Sequence, residues 1–385
     1  MAGDPQKLAA EAEEAAVRGD LAEAQRLFGE AAERAGGDLS LWMKHAALSR
    51  AVGRPRVALA SVYKALEVAP LDFAALLMRA SLLTALDEAS AGEAWGEALA
   101  QKPDGALPPQ LAKVIEQGEQ RHEAWLAERN AVLEAAASAA ANDASEEEQQ
   151  RLARFRSNAL RRTRPYHSSP THFHFPGLAE YEFWPRSRFP WLAELEAATE
   201  QIAAELQVVL SAERNELVPY IQYAAHEPLD QWRPLNHNPD WTAVHLWKSG
   251  QVVEANARHC PRTIALLDRL DQPRIAGASP NAMFSLLAPH TAIPPHVGYN
   301  NARLVCHLPL IIPDGCWFRV GAETRHWRRG QAFVFDDTIE HEAMNPTDEL
   351  RIVFIFDLWH PDLSEHERAG VAAMISAQGS PSGGL

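Results

Sequence analysis

The sequence predicts a chain of α and β domains in series. An N-terminal α-helical repeat domain spans residues 1–104 and a helical linker 105–164. A double-stranded β-helix, a cupin-like jelly roll with flanking helices, spans 165–375, and 376–385 form a disordered tail. Three observations carry this reading. Small residues recur at a fixed interval in the first hundred positions. Short apolar runs rich in β-branched and aromatic residues, separated by turn signals, fill the last hundred. Two histidines, His296 and His341, each lie beside such a run.

In the first segment Gly19 recurs as Gly53, Ala24 as Ala58 and Ala31 as Ala65, each 34 residues on. Small residues let paired helices approach, and this period is that of tetratricopeptide repeats. Ala-Leu-Glu-Val-Ala-Pro at 65–70 and Ala-Leu-Ala-Gln-Lys-Pro at 98–103 read as two repeat ends. A third unit, 71–103, departs in detail, with Asp87 and Gly92 at the corresponding small-residue positions. An alanine-rich bundle with no binding role is the plainer alternative. Residues 107–141 read as helix, and Ser145 is placed to cap the next one. The arginines at 151, 154, 156, 161, 162 and 164 suit a solvated or acid-facing helix better than a nucleic-acid surface, because the chain carries a net charge of −15.

Residues 303–312 form a strand-sized run ending at the turn signal Pro313-Asp314-Gly315, and 316–320 resume as a short strand. Residues 331–337 and 350–359 are two further strands, separated by Asn345-Pro346-Thr347-Asp348-Glu349. If that loop joins adjacent antiparallel strands, His341 and Arg351 come together at one end of a barrel.

His296 sits in Pro294-Pro295-His296-Val297-Gly298 and His341 in Phe335-Asp336-Asp337-Thr338-Ile339-Glu340-His341-Glu342. In the usual non-haem iron(II) triad, His-x-Asp/Glu and a distant histidine take one face of the metal and leave the other open. Here the carboxylate slot reads Gly298. Arg351 carries a planar fork that can hold a carboxylate through two parallel charge-assisted bonds. Taken singly, each histidine reads more often as a hydrogen-bonded structural residue than as a ligand. Ser285 could satisfy a backbone group and His307 could be a core residue. Arg303 shares a face with His307 if their strand is regular, and then either reaches substrate or forms an ion pair. His290, His326 and His360 read as structural or exposed.

Several separate motifs in order carry a resemblance: Phe284-Ser285-Leu286-Leu287, Pro295-His296-Val297-Gly298, Arg303-Leu304, His307-Leu308, Pro313-Asp314-Gly315-Cys316, Phe335-Asp336-Asp337, Glu340-His341-Glu342, Arg351 and Asp357-Leu358-Trp359-His360-Pro361. Through them, residues about 165–372 resemble the aspartyl/asparaginyl β-hydroxylase family of 2-oxoglutarate-dependent oxygenases. The resemblance implies Fe(II) held by His296 and His341 as the catalytic centre, with water in place of the missing carboxylate. It implies 2-oxoglutarate bound by Ser285, His307 and Arg351, and O2 as co-substrate. The reaction it implies is hydroxylation of a C–H bond, foremost the β-carbon of an Asp- or Asn-type residue in a protein or peptide, with release of succinate and CO2. Such a substrate would be recruited by the helical repeats. Asp336 and Asp337 are the nearest candidates to orient the metal's surroundings. Animal members carry a second arginine two residues after the position of Arg303; this chain has Val305, which puts aspartyl specificity in question. Upstream, 215–221 and 230–247 offer aromatic and amide side chains to a substrate cleft. Trp232, Arg233 and Asn236 are the candidate contacts, although Trp232, Trp241 and Trp247 also read as core anchors.

Alternative functions are hydroxylation of a small amino-acid-derived or lipid-linked molecule, halogenation through the vacant carboxylate position, and a non-catalytic repeat scaffold with a cupin-like sensor module. A hydrophobic content of 46% with 23% charge supplies core material for both domains, and no apolar run reaches membrane-spanning length. The start of the chain lacks the basic-then-apolar pattern of an export signal. Three cysteines without Cys-x-x-Cys spacing indicate neither a disulfide framework nor a zinc site and point to a reducing cytoplasm, where iron stays ferrous.

Overall fold

In the computed structural model the chain divides into two units, residues 1–162 and 163–385. The structure describes residues 4–212, 217–224, 226 and 230–378. Asn215, in the expected cleft segment, and the tail from Ser380 lie outside the described residues.

The first unit opens with three helical hairpins: α1 (Pro5–Val17) with α2 (Leu21–Ala35), α3 (Leu39–Ala51) with α4 (Pro55–Val68), and α5 (Phe73–Ala85) with α6 (Ala91–Leu99). The first helices of the three pairs start at 5, 39 and 73, so the period read from small residues is a period of structure. Asp38 and Asp72 cap equivalent helices by accepting from the backbone N–H three residues on. Ala12, Ala46 and Ala80, one per repeat, are fully buried where helices cross. The tight turn inside each pair uses a left-handed residue: Gly19 and Gly53 in the first two, with φ of 83° and 75°, and Asp87 in the third at 55°. Asp is one of the few residues with a side chain that tolerates this region, which explains how the third repeat departs without losing its turn.

The helices expected as a linker belong to this unit. α7 (Pro109–Ala140) packs along α6. α8 (Glu146–Ala159) begins with a capping box between Ser145 and Glu148. Arg156 lies 3.6 Å from Glu134 and Arg162 3.1 Å from Glu123, so two members of the basic run face acids of α7.

The second unit begins with an extended segment in which Ser169 N–H donates to Thr338 O and Phe173 bridges Asn300. Its elements in order are α9 (Leu192–Ala197), α10 (Thr199–Ser211), β1 (Leu217–Pro219), β2 (Trp241–Lys248), β3 (Gln251–Val252), α11 (Glu254–Ala257), α12 (Pro261–Leu267), β4 (Ala282–Leu287), β5 (Thr291–His296), β6 (Arg303–Ile311), β7 (Trp317–Val320), β8 (Glu323–His326), β9 (Phe333–Phe335), β10 (His341–Asn345), β11 (Arg351–Trp359) and α13 (Glu365–Gln378). The last helix thus extends three residues into the segment expected as tail. Two antiparallel sheets form: β1-β2-β4-β11-β6-β9, with β3 on β2, and β5-β10-β7-β8. No helix among the described residues is long and apolar enough to cross a membrane.

The large sheet is covered on both faces, which is why β6 and β11 read as nearly continuous apolar runs. Leu304, Cys306 and Leu308 with Phe354, Phe356 and Leu358 pack against Leu192, Ile202, Leu206 and Leu267 of the helices. Val305, Phe335, Leu287 and Val353 pack instead against Ile293, Phe318, Val320 and Ala343 of the small sheet. Alternation then puts Arg303 and His307 of β6, and Arg351, Ile355 and Asp357 of β11, on the face between the sheets. The expectation that β10 and β11 form one hairpin is corrected: they lie in different sheets. The breaker-rich loop between them is a crossover rather than a turn within one ladder.

Close packing of α6 on α7 yields a test. A Cβ at Gly118 would stand 2.2 Å from the Trp95 ring, whereas Gly37 faces open space. Gly118→Leu should cost the helical unit about 1–3 kcal/mol by overpacking, read as a lowered thermal midpoint, and Gly37→Ala should leave the midpoint in place.

Candidate active site

His296 ends β5, His341 begins β10, and the two are register partners across adjacent strands. Their ring centroids are 4.0 Å apart. His296 Nδ1 lies 2.7 Å from Pro294 O, and His341 Nδ1 3.1 Å from Ile339 O. A carbonyl only accepts, so each Nδ1 carries the proton and each Nε2 keeps its lone pair for a ligand. Burial lowers the His296 pKa to about 4 and, helped by the neighbouring His296, drives that of His341 well below the usual value. Both rings are neutral at neutral pH, the form that binds metals. Among the described residues no group of three or more His, Cys, Asp or Glu side chains is assembled for a metal, so this pair stands without a carboxylate ligand.

The two histidines line a cavity of about 460 Å³ between the sheets, together with Ser285, His307, Arg303 and Arg351. His341 and Arg351 therefore do share a site, but each reaches it from its own sheet. Arg351 is almost completely buried. Its NH1 lies 3.3 Å from Ser285 Oγ and 3.4 Å from Ser285 O, its guanidinium sits 4.7 Å from the centre of the Trp327 ring, and its Nε is buried with no hydrogen-bond partner. Among the described residues no carboxylate pairs with it, and burial lowers its pKa to about 10. Ser285 Oγ also accepts from Trp241 Nε1 at 3.1 Å. His307 is buried among Phe318, Phe333 and Phe335, its Nδ1 has no partner, and burial followed by the charge of Arg351 pushes its pKa well down.

Arg303 is built differently. It donates to Asp337 Oδ2 at 2.8 Å and to Asp357 Oδ1 at 3.0 Å, and Tyr299 lies 4.9 Å beneath its guanidinium. Of the two roles open to it in the sequence, the ion pair is the one formed, on the cavity wall. Burial raises the Asp337 pKa to about 6 despite Arg303. A Cβ at Gly298 would stand 2.3 Å from Asp337 Oδ2, so the space a side chain at 298 would enter is already taken by this carboxylate. Asp336 points elsewhere: its Oδ1 accepts from Thr338 N and Oγ1.

The upstream candidates fare less well. Trp232 does not line the cavity; it packs edge-on to His296 with centroids 4.9 Å apart and is buried beside Trp241. Arg233 is exposed and off the cavity wall. Asn236 clips the chain, exchanging hydrogen bonds with Tyr223 N and O. His290 pairs at the surface with Asp348, His326 is exposed, and His360 bonds Ala179 O. The sequence reading did not single out Trp327 or Tyr220, which stacks on Trp241 at 3.9 Å, nor His245 and Lys248. The alternation of Trp241, Ala243 and His245 was the available signal for His245, whereas Lys248 falls out of that alternation.

Residues 196–361 match the family model described as Aspartyl/Asparaginyl beta-hydroxylase. The matched stretch lies wholly within the second unit. Aspartyl/asparaginyl beta-hydroxylase of Mus musculus is 31% identical over 186 residues, 48% of this chain and 25% of that protein. Aspartate beta-hydroxylase domain-containing protein 2 of Homo sapiens is 33% identical over 212 residues, 54% of each chain. Ornithine lipid ester-linked acyl 2-hydroxylase of Rhizobium tropici is 35% identical over 176 residues, 45% of this chain and 58% of that protein. The chain thus spans between a quarter and three fifths of these relatives. Among solved structures, the Sgt2 TPR domain from Aspergillus fumigatus is 20% identical and aligns with 31% of this chain and 79% of its own, at a TM-score of 0.27.

The second unit holds its imidazoles neutral, and acid should therefore loosen it. Unfolded histidines take up a proton near a pKa of about 6.5, while His245 and His296 do so only at about 4, and burial likewise holds His307 and His341 well below the unfolded value. The unfolded state binds more protons over that window, so stability falls as pH drops through it. Asp336 and Asp337, raised by burial to about 7 and about 6, act in the opposite sense, but two carboxyl groups oppose four imidazoles. The urea midpoint of this domain, followed by tryptophan fluorescence, should be lower at about pH 5 than at about pH 7.5. An equal or higher midpoint at the acid pH would contradict the burial of these rings.

Proposed function

We propose that the second unit is an iron(II)- and 2-oxoglutarate-dependent dioxygenase that hydroxylates a C–H bond, foremost the β-carbon of an Asp- or Asn-type residue in a protein or peptide recruited by the helical repeats. The observation that carries this reading is Arg351, a buried guanidinium with no carboxylate partner among the described residues, in one cavity with two neutral imidazoles. Leaving such a charge without an anion costs several kcal/mol, about 3–5 when a partner is removed. The passage of the chain from large to small sheet and back between β4 and β11 suits the double-stranded β-helix of such enzymes.

The residues present fit the cofactor. His296 and His341 would hold iron through Nε2, and Asp337 Oδ1, buried with no hydrogen-bond partner, is available to a water on the metal. Bound iron with 2-oxoglutarate supplies the oxidation: one atom of O2 enters succinate as CO2 leaves, and the other enters the substrate C–H bond. Arg351 would take the far carboxylate of the keto acid. Ser285, accepting from Trp241 and Arg351, has its own proton free to donate to the same group, and the buried, unpartnered His307 Nδ1 would donate there in its Nδ1–H tautomer. Trp327, Phe318 and Phe335 keep water off the site. A reducing cytoplasm belongs to the proposal and suits three buried free thiols, Cys260, Cys306 and Cys316. The Rhizobium tropici relative, named for acyl hydroxylation, supports a lipid-linked substrate as the second reading.

With iron(II), ascorbate and carboxyl-labelled 2-oxoglutarate, the protein should release CO2 and form succinate. His296→Ala and His341→Ala should abolish this, while His290→Ala, at the surface with Asp348, should not. Release that survives both histidine substitutions would remove the histidine pair as the iron site, and no release from the parent protein would leave a non-catalytic module. Arg351→Met should raise the KM for 2-oxoglutarate roughly a hundredfold, the value of about 3 kcal/mol of charge-assisted bonding. Arg351→Lys should fall between, since it keeps the charge and loses the fork.

A further inference from the structure

The cavity extends past the histidines along the inner face of the large sheet. Register sets one row across it: His245 of β2, Met283 of β4, Ile355 of β11 and His307 of β6. Adjacent strands are about 4.8 Å apart, so His245 stands about 14 Å from the His307 end. The middle of the row is apolar, and Lys248 lines the cavity at the His245 end.

A local irregularity brings Lys248 there. Between His245↔Met283 and Trp247↔Ala282, β2 spends two residues where β4 spends one. This bulge reverses the phase of the strand. Trp247 joins Leu246 on the helix-packed face, and Lys248 returns to the side of His245. β2 then turns at once through Ser249 and Gly250, with φ of 49° and 80°, into β3. The two groups differ in burial, His245 being half-buried and Lys248 exposed at its end of the cavity. His245 Nδ1 is buried with no hydrogen-bond partner, and among the described residues Lys248 makes no ion pair.

The cavity's charges say what is missing. Its acids, Asp337 and Asp357, are both held by Arg303, and its other cations are Arg351 and Lys248. If iron(II) and the 2-oxoglutarate dianion offset each other, as the proposed function has it, the arginine and lysine charges exceed the two carboxylates by one. We infer that Lys248 and His245 form a substrate subsite for a carboxylate on an alkyl stem, the carboxylate paired with Lys248 and bonded by His245 Nδ1–H, and the stem lying over Met283 and Ile355. The ring is neutral, its pKa lowered to about 4 by burial and then by the Lys248 charge, so its Nδ1–H tautomer can donate. The bulge is the feature that makes the pair, since a regular strand would aim Trp247 into the cavity instead.

This inference deepens the proposed function and rests on it for the charge balance alone. Calorimetric titration of the full chain with octanoate and with a terminally blocked Gly-Glu-Gly tripeptide tests it, with octanamide and Gly-Gln-Gly as uncharged controls. At least one acid should bind ten or more times tighter than its amide, and the acid that binds tells a lipid-derived from a peptide source. Lys248→Glu should weaken that binding at least tenfold, Lys248→Arg should keep it, and 2-oxoglutarate binding, titrated separately, should be unchanged in both. Acid and amide binding alike, no binding of either acid, or Lys248→Glu binding like the parent overturns the subsite. If 2-oxoglutarate does not bind while acid selectivity still depends on Lys248, the subsite stands and the enzymatic reading falls.

Discussion

A positive charge sealed inside the large sheet sets the terms for the whole second unit. Arg351 opens β11, the strand between β4 and β6, where it pairs with Leu287 at the end of β4, and its guanidinium is covered by Trp327. Arg303, one strand away and equally buried, meets two carboxylates. Arg351 meets a hydroxyl, a carbonyl and an aromatic face. These soften the desolvation of a guanidinium without cancelling it. The contrast between two arginines in the same cavity points to an anion that is part of the working protein but not of the chain.

What surrounds that charge follows from two-sided burial. Each strand of the large sheet gives alternate residues to the helices and to the cavity, so one register fixes both the core and the site. Shifting β11 by a residue would send Arg351 and Asp357 into Leu192 and Ile202 and bring Phe354 into the cavity. The small sheet holds the histidines by the same logic, with His296 and His341 paired on neighbouring strands at 4.0 Å. Positions that could bind a metal and its chelating acid are thus set by ladders rather than by loops, which favours a rigid site.

Much of this could be read from the chain because it is local or periodic. The 34-residue spacing gave the hairpin starts, and even the replacement of the turn glycine by Asp87 kept its left-handed backbone. The strands of 303–312 and 350–359 and the shared face of Arg303 and His307 followed from alternation. Contacts between sheets did not follow. The loop after β10 carries the residues of a hairpin turn yet crosses between sheets, because Asn345 spends its amide on Leu287, Ala288 and Glu349 carbonyls and so binds the crossover to the end of β4. Trp232, Arg233 and Asn236 are aromatic, charged and amide residues of the kind that line clefts, and only the fold shows one as packing, one as surface and one as a clip. A one-residue bulge, which decides whether Trp247 or Lys248 faces inward, leaves no mark in composition.

The glycine at the usual carboxylate position takes on a different meaning in this setting. Gly298 is not an empty slot, because Asp337 stands against it closely enough to exclude a Cβ, and Gly298 N–H donates to Asp337 O at 2.7 Å. The carboxylate cannot simply swing toward the histidines to restore a triad. Its Oδ2 is held by Arg303, Arg303 by Asp357, and Asp357 Oδ2 by Ser279 Oγ and by the backbone and side-chain amides of Asn281. Asn281 Oδ1 in turn accepts from Ser249 N–H, in the turn that follows Lys248. One continuous set of buried and part-buried bonds therefore runs from the strand pair of the histidines to the far end of the cavity. Each link is a charge or amide whose partner would be stranded if it moved, at a cost of about 1–3 kcal/mol or more. A fixed acid one step back from the histidine pair would leave more of a bound metal's coordination sphere open than a ligating one, and the same bonds that keep it back also fix the wall along which a substrate would lie.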